Sequence, residues 1–133
     1  MAVAKGMITA SFLAGADLTS CQYEAIKMHS VAHEVTVAGS DNEKCIGILQ
    51  NAPADGEEAI VCVLGVCPAK IMESSLSAMD YLVADSTGGL EQADDANGHV
   101  IAILLQDSSS TAGTTNEILP VLVCHLECTA SDA

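Results

Sequence analysis

The apolar positions of this chain come in short runs, and hardly any keep the spacing of an amphipathic helix. Residues 34–38 alternate around Val35 and Val37, the period-two signature of a half-buried strand. Residues 22–28 also alternate, with Tyr23, Ala25 and Lys27 on one face and Ile26 and Met28 on the other. Residues 45–50, 59–66 and 100–106 are compact apolar runs of strand length. The 59–66 run is so rich in aliphatic and β-branched side chains that it reads as a fully buried strand. Short strands are predicted near 81–83 and at 90–93. Residues 117–126 form the last strong one, with Pro120 pointing to an edge or a bulge.

Turn chemistry separates these runs. Gly39, Ser40, Asp41 and Asn42 make one turn string, and Pro53, Asp55 and Gly56 punctuate the next loop. Further turns fall at 85–89 and 94–98, and residues 107–116 form a Ser/Thr/Gly loop. Only residues 74–80 have room for a helical turn. The expected fold class is all-β, a small single-domain β-barrel or β-sandwich.

The chain also echoes itself. IGILQ at 46–50 leads through a glycine-containing loop to EAIVCV at 58–63, and IAILLQ at 101–106 leads likewise to EILPV at 117–121. Tyr23 and Tyr81 each stand at the start of a half. This pattern predicts two similar β units. Residues 1–18 have no clean period and read as an extended N-terminal arm, leaving residues 19–133 as the β domain. Met7, Ile8, Phe12 and Leu13 are apolar without an intramolecular period. They are therefore expected to contact a partner surface or a neighbouring copy. The run from Met7 to Ala16 is too short, and too broken by Thr9, Ser11 and Gly15, to read as a signal peptide. No stretch approaches the roughly 20 apolar residues of a membrane-spanning helix.

Composition narrows the function. Half of the residues are apolar, yet Phe12, Tyr23 and Tyr81 are the only aromatics, so there is no stacking platform for bases. Net charge is −14, with no arginine and only Lys5, Lys27, Lys44 and Lys70 as basic groups. Nucleic acid and anionic membranes are disfavoured as partners. Such charge favours solubility and suppresses self-association, or steers the chain onto a basic protein surface. Of the six cysteines, Cys45, Cys62, Cys67 and Cys124 lie in or beside aliphatic runs and read as small buried hydrophobes. With Cys21 and Cys128 they leave a disulfide or a metal site as alternatives, although no C-x-x-C spacing occurs.

Catalytic motifs are missing. His29, His33 and Glu34 have the wrong order for the metalloprotease helix, which needs H-E-x-x-H on one face. Asp85, Ser86, Thr87 and Gly88 superficially approach an aspartic-protease D-[ST]-G, but the glycine comes one residue late, and a plain turn is expected. Lys44 beside a turn invites comparison with lipoyl or biotin carrier domains, but it lies in the first half instead of the second. No enzyme activity, metal or cofactor is expected.

Residues 46–59, IGILQNAPADGEEA, closely resemble the strand, loop and strand of the tailed-phage capsid cement, or head decoration, family. Asp17, Leu18, Gln22 and Tyr23 look like that family's opening. Asp80, Tyr81, Leu82, Asp85 and Gly88 or Gly89 resemble its turn region, and residues 100–105 and 117–122 its closing strands. Met79 stands where a glycine is common, Ala102 replaces the second-half glycine, and the cysteine content departs from the pattern. The resemblance implies a virion protein made in the host cytoplasm that decorates the outer capsid surface. It would bridge subunits of the major capsid protein as a homo-oligomer, a trimer being favoured. Another non-enzymatic virion module, such as a tail or fibre accessory, is the alternative.

Overall fold

A computed structural model describes residues 6–93, 98–108 and 117–128, with residues 127 and 128 as backbone only. Among the described residues there are nine strands and no helix. They are β1 (Ile8–Ala14), β2 (Ala25–Met28), β3 (Glu34–Val37), β4 (Gly47–Leu49), β5 (Glu58–Ile71), β6 (Tyr81–Ala84), β7 (Leu90–Gln92), β8 (Gly98–Leu104) and β9 (Glu117–Cys128).

Hydrogen-bonded pairing closes these strands into two rings. In the first, β1 pairs in parallel with β3, β3 with β2, β2 with β4, β4 with the start of β5, and β5 returns to β1. In the second, the end of β5 pairs in parallel with β7, β7 with β6, β6 with β8, β8 with β9, and β9 returns to β5. Strand β5 is thus the last strand of one unit and the first of the next. It turns from ring to ring at Gly65, whose φ of 101° and contact with the Gly6 carbonyl leave no place for a Cβ.

The two units share one pairing map. Across the first, Ala25 opposes Ile48, Ile48 opposes Cys62, and Cys62 opposes Thr9. Across the second, Tyr81 opposes Ile103, Ile103 opposes Leu122, and Leu122 opposes Val66. The loops repeat as well. Tyr23 N–H donates to the Leu49 carbonyl and Met79 N–H to the Leu104 carbonyl, both at 2.7 Å. Tyr23 and Met79 share the left-handed backbone, φ 71° and 78°, as do His33 and Gly88 at 68° and 97°. The expected all-β fold of two similar halves is what forms, as two rings sharing β5 instead of one barrel or sandwich. The register corrects one detail: Tyr23 corresponds to Met79, and Tyr81 to Ala25.

Each ring has its own core, one side chain or more from every strand. Ala14, Ile26, Val35, Leu49 and Val61 fill the first. Ile71, Leu82, Leu90, Leu104 and Val121 occupy the same positions in the second. Burying each larger aliphatic side chain contributes about 1.5–3 kcal/mol. No aromatic belongs to either set; the rings are filled mainly by branched aliphatics with alanine and cysteine between them.

Three expectations change. Residues 8–14, read as arm, form β1, bonded to β3 and β5; exposed Thr9, Ser11 and Leu13 hid the strand by interrupting an already weak period. Pro120 sits on a strand paired on both sides, not on an edge. It directly opposes Pro68, so the two prolines occupy a non-bonded pair and the β5–β9 ladder loses no rung, while its carbonyl accepts from Leu105 N–H on the other side. Residues 74–80 make a bend and a turn, closed by Asp80 N–H on the Ser77 carbonyl.

Candidate functional site

The residues singled out for chemistry are placed as turn and surface elements. His29 Nδ1 accepts from Val31 N–H at 3.2 Å and lies 3.5 Å from Glu34 Oε2, which shapes the β2–β3 turn. Asp85 Oδ1 accepts from both Thr87 N–H and Thr87 Oγ1, at 2.8 and 2.7 Å, in the matching β6–β7 turn. No group of three or more His, Cys, Asp or Glu among the described residues is arranged to hold a metal ion. Lys44 is exposed and lines a cleft of about 290 Å³ with Cys45, His99, Val100, His125 and Leu126.

The described cysteines other than Cys128 are free thiols. Cys62 and Cys67 are fully buried in the second core, and Cys67 is pushed well up by its hydrogen bond with Cys62 and by burial. Burial pushes the Cys45 thiol up to about 12. Cys62 and Cys67 act as core filler and Cys45 packs against the same core, as their aliphatic surroundings predicted, whereas Cys124 is half-buried and belongs to neither core.

Met7, Ile8, Phe12 and Leu13 do not form one surface. Met7 packs against the second core and Phe12 against the first, whereas Ile8 and Leu13 are exposed. Leu13 and Phe12 do line a common cleft of about 350 Å³ with Ser11, His33 and Glu58.

The best-defined recognition geometry in the molecule is the seam between its own units. The segment Tyr23–Glu24–Ala25 of the first unit inserts between β5 and the β6–β7 turn of the second. Lys70 N–H donates to the Tyr23 carbonyl at 2.8 Å, and Ala25 N–H donates to the Gly88 carbonyl at 2.7 Å. Lys70 Nζ meets Glu24 Oε2 at 2.6 Å, and Glu24 is the one buried charged residue among those described. Gln50 Nε2 reaches the Pro68 carbonyl at 3.4 Å. Ala25, Ile48 and Cys62 on the outer face of the first unit are thereby buried in the second core.

The duplication assigns counterparts to the residues of this seam, and several of them are exposed. Tyr23, Ala25 and Gln50 correspond to Met79, Tyr81 and Leu105 on the second unit, all exposed apolar residues, with Met79 at 68%. Lys70, Ala84 and Thr87 correspond to Leu13, Met28 and Val31 on the first unit, also exposed. Apart from Leu13, the sequence reading missed these six. Aligning the two halves by turn position, instead of by aliphatic runs, is the signal that finds them.

No protein-family model matches the chain, and no curated protein does. Its fold is similar to that in the crystal structure of the N base of the head fiber gp8.5 in bacteriophage phi29. That match has a TM-score of 0.65 at 15% identity and covers 88% of this chain and 95% of that one, a likeness of fold.

Proposed function

We propose that this protein is a non-enzymatic structural component of a phage virion that binds the outside of the head. The observation that carries this reading is the fold likeness to a phage head-fiber base, which spans nearly the whole of both chains. The resemblance of residues 46–59 to capsid decoration proteins supports it independently of the fold. In the structure that stretch is the β4–β5 connection. Asn51 holds it closed by accepting from Ile60 N–H at 3.0 Å and donating to the Glu58 carbonyl at 2.9 Å. A rigid aliphatic barrel with paired strand edges suits a part whose work is to sit on a surface and bear load.

On the finer reading, the protein decorates the shell by bridging neighbouring major capsid protein subunits, where many modest contacts add up. The head-fiber likeness favours a second reading, in which it is the base that anchors a fibre to the head. Purified protein is added to heads lacking it, followed by co-sedimentation and cryo-electron microscopy. Saturable binding at symmetry-related outer sites supports the head-surface role. Density that ends at the barrel indicates decoration, and a shaft rising from it in intact virions indicates a fibre base. Failure to bind mature heads would overturn both readings.

A further inference from the structure

We propose that the molecule self-associates head to tail, one copy's Met79–Tyr81 corner seating in the Leu13/His33 cleft of a second copy. This contact would use between molecules the surfaces equivalent to those that join the two units within one, with side-chain contact in place of the seam's two backbone bonds.

Within the chain, the first unit presents a plug, the left-handed corner at Tyr23 followed by Ala25. The second unit presents the socket, Lys70 N–H and the Gly88 carbonyl held apart to receive Tyr23 O and Ala25 N. The equivalent plug on the second unit is Met79 to Tyr81, with the same left-handed corner and the same bond to the end of the neighbouring strand. The equivalent socket on the first unit is formed by Leu13 and His33. There Leu13 N–H bonds directly to the His33 carbonyl at 3.0 Å, so the socket is closed on itself. The cleft of about 350 Å³ lies at this place, lined by Ser11, Phe12, Leu13, His33 and Glu58. Their counterparts include Pro68, Lys70 and Gly88, which hold the plug inside the molecule.

Pro68 becomes Ser11 and Gly88 becomes His33 in the cleft, while most other positions of the seam take larger or more apolar side chains. Lys70 becomes Leu13, Ala84 becomes Met28 and Thr87 becomes Val31 on the socket. Tyr23 becomes Met79, Ala25 becomes Tyr81 and Gln50 becomes Leu105 on the plug. The internal Glu24–Lys70 pair is thus replaced by apolar contact, while Asp80, the counterpart of Glu24, is already engaged by Ser77 N–H at 2.9 Å. Both surfaces present exposed apolar residues where a charged chain would otherwise place polar ones. A contact of this kind is heterologous, so each copy keeps one free plug and one free socket until a ring closes. Repulsion between chains of net charge −14 opposes it, so association should strengthen as salt rises.

The test uses the full chain and two variants, Leu13→Asp and Met79→Asp, with Leu13→Ser and Met79→Ser as milder versions. Both substituted positions are solvent-exposed, and unchanged melting verifies folding. Sedimentation velocity at 0.5 M salt should show concentration-dependent oligomers for the parent chain. Each aspartate variant alone should associate at least about tenfold more weakly. Mixed in equal amounts, the two variants should form a one-to-one dimer and nothing larger, because Leu13→Asp retains a plug and Met79→Asp retains a socket. A parent chain that stays monomeric, or a mixture that fails to dimerise, would overturn the proposal. Neither result bears on whether the protein binds heads.

Discussion

Replacing Lys70 by methionine tests the seam directly, because it keeps the aliphatic stem and removes only the charge. Glu24 is 7% exposed, and its carboxylate meets Lys70 Nζ at 2.6 Å. Removing one partner of a fully buried pair costs about 3–5 kcal/mol, because the other charge is left uncompensated. The Lys70 side chain keeps 22% of its surface in water, which lowers the strength of the pair and the cost of losing it. We therefore expect Lys70→Met to destabilise the fold by about 2–3 kcal/mol. At about 3–5 °C per kcal/mol for a domain of this size, the melting temperature should fall by about 6–15 °C.

The double variant Glu24→Gln/Lys70→Met decides whether the loss comes from the stranded carboxylate. It retains shape and removes both charges, so it should recover at least about 1 kcal/mol relative to Lys70→Met alone. The backbone bonds Lys70 N–H to Tyr23 O and Ala25 N–H to Gly88 O remain available in both variants. Urea denaturation of the parent, both single variants and the double variant completes the cycle. A loss below about 0.5 kcal/mol for Lys70→Met, or strictly additive effects, would refute the account of the seam as a buried charge pair.

Gly88→Ala should cost about 1–3 kcal/mol, measured by the same denaturation. Its φ is 97°, and a Cβ there would meet Val37 Cγ2 and come within 2.8 Å of Glu24 Oε1. Glu43 should contribute acid sensitivity. Hydrogen bonds from Lys27 and from the Gly39 N–H hold its carboxyl below the ordinary range, so its stabilisation is present above the unfolded value and lost as pH falls through the folded one. The stability difference between the parent and Glu43→Gln should accordingly be constant above about pH 5 and shrink below about pH 4. Cys62 and Cys67 should resist a thiol reagent in the native protein and react fully in denaturant, as read by peptide mapping. Rapid native labelling of either would contradict their burial.

Much of the fold could be read in the sequence because strands with most of their side chains at least half-buried write continuous aliphatic runs, although the 59–66 run is not fully buried as expected: Leu64 is exposed. The 59–66 and 100–106 runs and the turn strings between them gave β5, β8 and the all-β class. Strand β1 escaped because Thr9, Ser11 and Leu13 face solvent, and its partners lie far away in sequence at β3 and β5. The end of β5 escaped because Pro68 and Lys70 look like breakers. Pro68 is tolerated opposite Pro120, and Lys70 is drawn in by Glu24 from the other unit. Both reasons are tertiary and leave no local mark. The duplication was visible only as aliphatic echoes, which place the tyrosines in correspondence. The true register rests on left-handed corners at Tyr23 and Met79, residue types that do not advertise a positive φ.

A chain built from two copies of one unit, joined through a shared strand, behaves as a short linear repeat. In such repeats each unit is completed by its neighbour, and a terminal unit needs a polar cap to remain single. Here the first unit is completed: Ala25, Ile48 and Cys62 are fully buried beneath the second. The second unit's matching row carries the larger Tyr81, Ile103 and Leu122, with Tyr81 exposed. Among the described residues both ends keep exposed apolar side chains, Leu13, Met28 and Val31 at one and Met79, Tyr81 and Leu105 at the other, with Glu58 beside the first. Strong net charge and apolar ends then act in opposition when the protein is free, since repulsion is long-ranged and the ends touch only at contact. On a basic or mixed-charge surface the same charge would instead draw copies together, so that the ends meet there. That division of labour gives both the acidity and the uncapped ends a physical reason, which solubility alone gives only to the first.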